Sequence, residues 1–191
     1  MPTKEQFIRD FMSNFAMDEC NTKILQARIA QAFGNTSVLN AREKEIIEHG
    51  YINYFTTHFG MDESNTRTLQ ARFAELFGTK PNPQEQLAIE SSYIKYFTSK
   101  FTMDASNTQI LDTRFMQLFG HKIENHFAAE ILSTHYHKWF EQHFAMDDTN
   151  HTILRECENS VISGVSAGDV SGICPTVKDQ LKSCLGGTLS T

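Results

Sequence analysis

The sequence predicts an all-α fold of four tandem helical hairpins, arranged as an α-solenoid or a compact helical bundle and followed by a C-terminal linker and short helix. Three observations carry this expectation. Aromatic residues recur at helical spacing, a Met-Asp-x-x-Asn element returns four times, and glycines stand where second helices should end.

Cutting the chain at Met17, Met61, Met103 and Met146 gives spacings of 44, 42 and 43 residues, a period of about 43. Ahead of these methionines lie Phe7, Phe11 and Phe15; Tyr51, Phe55 and Phe59; Tyr93, Phe97 and Phe101; and Tyr136, Phe140 and Phe144. Steps of four residues put each trio on one side of a helix, where most of the rings should be core. After each Met come Asp18 and Asn21, Asp62 and Asn65, Asp104 and Asn107, and Asp147 and Asn150. Asp and Asn side chains accept hydrogen bonds from the unpaired N–H groups of a new helix, so this element reads as a helix-to-helix turn.

The second helices carry Leu25, Arg28, Ile29 and Phe33; Leu69, Arg72, Phe73 and Phe77; and Leu111, Arg114, Phe115 and Phe119. Each has one apolar stripe and stops at Gly34, Gly78 or Gly120, where a left-handed residue ends a helix at little cost. Asn82-Pro83-Gln84-Glu85 restarts a helix, with Asn as cap, Pro in the first turn and Glu at the third position. The expected organisation is a four-repeat domain over 1–158, with repeats 1–40, 41–80, 81–122 and 123–158. The fourth repeat turns polar after Leu154, as terminal repeats do when their outer face has no neighbour. A Ser/Gly-rich linker and a short docking helix with Val177, Leu181 and Leu185 are expected over 159–191.

Composition narrows the function. Acidic residues outnumber basic ones by 23 to 17, and Lys and Arg form no cluster, which points away from nucleic acid as a partner. No stretch is apolar enough for a membrane span, and Met1 to Glu5 leads into a charged segment rather than the apolar core of a secretory signal. Cys20, Cys157, Cys174 and Cys184 lie far apart, matching neither a zinc ribbon nor a disulfide scaffold, so a cytoplasmic protein is expected and the sequons at Asn35 and Asn150 read as chance.

Four features could carry chemistry. Gly164-Val165-Ser166-Ala167-Gly168 has the spelling of a hydrolase nucleophile elbow, but no histidine follows Ser166, so a flexible linker is the better reading. Six of eight histidines lie between His121 and His151, five of them in the fourth repeat, where His126, Glu130, His137 and Glu141 share one helical face within about 60°. Imidazoles and carboxylates on one face suit a transition metal or a porphyrin-like ligand, although a solvated stripe explains them as well. Arg28, Arg72 and Arg114 recur ten residues after each Asp, and are expected to drape over neighbouring rings and pair with carboxylates. Finally, the first helices carry more rings than one partner helix would cover, and Tyr54, Tyr96 and Trp139 are the candidates for a protein-binding surface. With no phosphate-binding glycine loop, zincin pair or Cys/His nucleophile pattern, the sequence favours a non-enzymatic interaction or self-assembly scaffold without a cofactor. A small-ligand or metal-binding protein using the His-rich fourth repeat is the alternative.

Overall fold

The computed structural model describes residues 3–34, 38–123 and 131–163, and the regular structure among them is entirely helical. In chain order the helices are α1 (Lys4–Asn14), α2 (Glu19–Phe33), α3 (Ala41–His58), α4 (Glu63–Phe77), α5 (Pro83–Lys100) and α6 (Ala105–Phe119). A π-helical stretch, Ile131–Tyr136, then runs directly into α7 (His137–His143), and α8 (Asp148–Ser163) follows. Among the described residues no helix is long and apolar enough to cross a membrane.

The recurring Met-Asp-x-x-Asn element is the joint between paired helices, and it is built the same way four times. Oδ1 of Asp18, Asp62, Asp104 and Asp147 accepts the backbone N–H of Asn21, Asn65, Asn107 and Asn150 at 2.7, 2.8, 2.7 and 2.8 Å. The Asn side chain then reaches back, its Nδ2 donating to the carbonyl of Ala16, Gly60, Thr102 or Ala145 at 2.9, 2.7, 2.6 and 2.7 Å. One side chain therefore caps the new helix while the other ties it to the strand of backbone leaving the old one. Met17, Met61 and Met103 are buried beneath the joint, so the residue that marks the period is also its apolar plug.

Starts and stops follow the sequence signals closely. At α3, Asn40 and Glu43 exchange side-chain-to-backbone bonds at 2.9 Å each. Asn82 and Glu85 do the same for α5 at 2.8 and 3.0 Å, with Pro83 in the first turn where its missing N–H costs nothing. Gly78 and Gly120 close α4 and α6 in the left-handed conformation, at φ 68° and 79°. Gly34 also has a positive φ, 86°, but an extended ψ of 155°, so α2 ends without closing a left-handed cap. α8 continues to Ser163, into the segment whose Ser and Gly content reads as linker.

The chain forms two compact units, Met1–Tyr93 and Ile94–Thr191. In the first, Ile8, Phe11, Met17, Leu25, Ile29 and Ile47 form a core on which Phe7, Met12, Phe33, Tyr54 and Phe77 pack. α1 and α3 approach closely at Gly50, where a Cβ would stand 2.5 Å from Met12 Cε. In the second, Tyr136, Phe140, Ile153 and Leu154 form a core covered by Trp139, Phe144 and Met146. Phe11, Phe55, Phe97 and Phe140, equivalent by register, are all buried.

Candidate interaction surface

Helix endings decide which rings reach water. α1, α3 and α5 stop one residue before Phe15, Phe59 and Phe101. Phe15 and Phe59 sit in extended backbone, at φ −131° and −120°, while their N–H groups still donate to Phe11 and Phe55. Phe101 N–H donates likewise to Phe97. The four-residue spacing places all three rings of each set on one side of a helix, yet the third ring is not core. Phe15, Phe59 and Phe101 are 44, 42 and 43 % exposed, because the chain leaves the helical track at that residue. One edge of each still rests on the buried ring before it, with centroids 4.6, 4.5 and 4.6 Å apart. The fourth copy differs, since Trp139 packs edge-on against Phe144 at 5.8 Å and leaves it half-buried.

Tyr54, Tyr96 and Trp139 occupy one register on α3, α5 and α7, and all three are half-buried. Each lies beneath a histidine or lysine side chain four residues on. His58 stacks on Tyr54 with centroids 4.2 Å apart, His143 stacks on Trp139 at 5.1 Å, and Lys100 Nζ lies 5.7 Å from the Tyr96 ring centre. His58 Nδ1 and His143 Nδ1 each lie 2.8 Å from the carbonyl of the ring residue below, so a proton on Nδ1 bonds the stack in place. Tyr54 and Trp139 also touch their units' cores, which divides these side chains between internal packing and surface.

Of the histidine stripe, His126 and Glu130 lie outside the described residues. His137 and Glu141 form an i, i+4 pair on α7, Nε2 to Oε1 3.1 Å, with 35 and 49 % of the two side chains exposed. The described residues contain no cluster of three or more His, Cys, Asp or Glu side chains placed to hold a metal. A partly solvated pair of this kind contributes little to stability, so His137→Gln is expected to change unfolding free energy by no more than about 0.5 kcal/mol. Urea denaturation of both proteins at pH 6.5 checks this, and a loss several times larger would mean that His137 has a structural task beyond Glu141.

The recurring arginines take the structural role expected of them where their partners are defined. Arg28 lies over the Phe11 ring at 5.6 Å, and Arg72 Nη1 is 3.8 Å from Glu19 Oε2. Cys20 is a free, exposed thiol. Ser166 and its glycines, together with Cys174 and Cys184, lie outside the described residues.

One constellation carries no recognisable motif. Glu43, Glu48 and Glu85 are buried, and Glu48 and Glu85 line an open cleft of about 630 Å³ with Lys44, Glu45, Thr79 and Lys80. A glutamate on a helix ordinarily reads as solvated, so only the capping role of Glu43 and Glu85 was available as a signal. No protein-family model matches the chain, nor does any curated protein or solved structure.

Proposed function

We propose that this chain is a non-enzymatic, cytoplasmic helical-repeat scaffold that binds protein, either a further copy of itself or a separate partner, and engages neither nucleic acid nor membrane. The observation that carries the reading is the recurrence of a half-exposed phenylalanine at Phe15, Phe59 and Phe101, in one register relative to the turn. Single exposed apolar residues need no explanation. Three large rings in the same register on successive hairpins, together with Tyr54 and Tyr96 and the side chains that lie over them, have the composition of an interface: aromatic anchors with a polar rim.

The test compares the full chain with its Phe15→Ser, Phe59→Ser, Phe101→Ser variant by sedimentation velocity and by affinity capture with mass spectrometry. The scaffold reading expects self-association or a stoichiometric protein partner in the parent and its loss in the variant, with the helical circular dichroism retained. A parent that is monomeric, captures nothing stoichiometric and purifies with metal or a chromophore would replace this reading by the ligand-binding one, for which the His137–Glu141 pair is the supporting observation.

A further inference from the structure

The joints between successive hairpins of the first unit are built from the same positions but carry opposite charge logic. Lys4 precedes Asp18 by the same interval at which Glu48 precedes Asp62, and Glu43 and Glu85 stand in equivalent places as the third residues of α3 and α5. At the first joint Lys4 Nζ meets Glu43 Oε2 at 3.4 Å, both side chains largely covered. At the second joint the lysine is replaced by Glu48, which lines one cleft with Glu85 and has that carboxyl as its neighbour.

Glu85 is spoken for on one side only. Its Oε2 accepts the Asn82 N–H at 2.8 Å, while Oε1 is sealed from solvent with no N–H or hydroxyl donor in reach. Glu48 is 5 % exposed, Glu85 1 %. Two buried carboxylates in this position repel, and a carboxylate can accept but not donate, so only a proton held between them turns the contact into a bond. We propose that Glu48 and Glu85 form a proton-operated clasp between α3 and the start of α5, closed while they share a proton and loosened when both are ionised.

The remaining charges around the clasp do not abolish it. On α3, Lys44 Nζ stands 3.4 Å from Glu48 Oε1, but it is itself 38 % exposed and also donates to Thr79 Oγ1 at 3.1 Å. Glu45, also on α3, and Lys80, in the α4–α5 connection, line the same cleft with opposite signs. Burial pushes the Glu48 carboxyl from its ordinary 4.5 up to about 7; the charge of Glu85 adds to the rise and Lys44 opposes it. Between these two values the folded chain holds a proton that the unfolded chain releases. The clasp's contribution is therefore complete in acid, declines as pH rises toward about 7, and is gone above it.

Thermal unfolding of the full chain, Glu48→Gln and Glu48→Lys from pH 5.5 to 8.5 tests the proposal. Glutamine offers Glu85 a donor at every pH, so the Tm of the parent minus that of Glu48→Gln should fall by about 3–6 °C across the range. Subtracting the variant removes the background of the other carboxylates. Glu48→Lys recreates the Lys4–Glu43 arrangement and should exceed the parent at pH 8. A Tm difference constant within about 1 °C would overturn the clasp. Should either variant fail to fold, a carboxyl 13C titration of the parent decides the matter: a Glu48 midpoint near neutrality supports the clasp, and one in the ordinary glutamate range refutes it.

Discussion

Replacing Phe55 by alanine is expected to destabilise the first unit by about 3–5 kcal/mol, and Phe140→Ala should do the same in the second. Both rings are almost wholly buried, at 3 and 0 % exposure, and each is held between the rings four residues before and after it. Phe55 lies against Tyr51 and Phe59 with centroids 6.3 and 4.5 Å away, and Phe140 against Tyr136 and Phe144 at 6.3 and 4.7 Å. Truncation removes the transfer free energy of the ring and leaves a cavity that stiff aromatic neighbours fill poorly. Phe59→Ala, one turn further on, should cost much less, because 42 % of that residue is already in water. Urea unfolding followed by circular dichroism measures all three, and equal losses at Phe55 and Phe59 would show that the assignment of core and surface is mistaken.

The second large effect is expected at the turn. Asp62→Ala removes the cap on α4, a loss of about 1 kcal/mol. Asn65→Ala removes the 2.7 Å bond to the Gly60 carbonyl, worth about 1 kcal/mol more. The double variant should lose about 2 kcal/mol, with some departure from additivity because Asp62 bonds the backbone of the very residue that is changed. Asp62→Ser keeps an acceptor in place and should recover most of the single loss. If Asp62→Ala were neutral while Asp62→Ser was not, the side-chain bond would not be what fixes the turn.

How far the fold could be read from the chain depended on whether a residue's role is local. Asp and Asn at the turn, the glycines at φ 68° and 79°, and the Asn82–Glu85 box act through backbone groups within a few residues, so their spacing alone announced them. Burial of Phe11, Phe55, Phe97 and Phe140 followed from helical periodicity in the same way. The exposure of Phe15, Phe59 and Phe101 was not legible, because periodicity alone does not say where a helix stops, and the extended backbone at Phe15 and Phe59 turns those rings out of the stripe. α8 runs to Ser163 among the described residues, into a stretch whose serine content suggests a linker, because a helix once capped by Asp147 carries on.

The Glu48–Glu85 contact was not legible at all, because neither residue has a neighbour in sequence that marks it as buried. It depends on α3 meeting the first turn of α5. The equivalence of Lys4 with Glu48 becomes meaningful only once the Lys4–Glu43 pair is seen across the preceding joint. Of the candidate interaction residues, Tyr54, Tyr96 and Trp139 were found from the excess of rings on the first helices, whereas the histidines and lysine lying over them were not.

If one hairpin, built on the Asp–Asn turn, is used four times, its copies should superpose. An experimental structure of the full chain, with residues 1–40, 41–80, 81–122 and 123–158 superposed on the four turns, tests it most directly. The paired helices of all four segments should overlay, with Phe11, Phe55, Phe97 and Phe140 in the same buried place and each Asn side chain bonded back across its turn. Segments that fail to superpose, or a turn whose Asp and Asn face solvent unbonded, would contradict it.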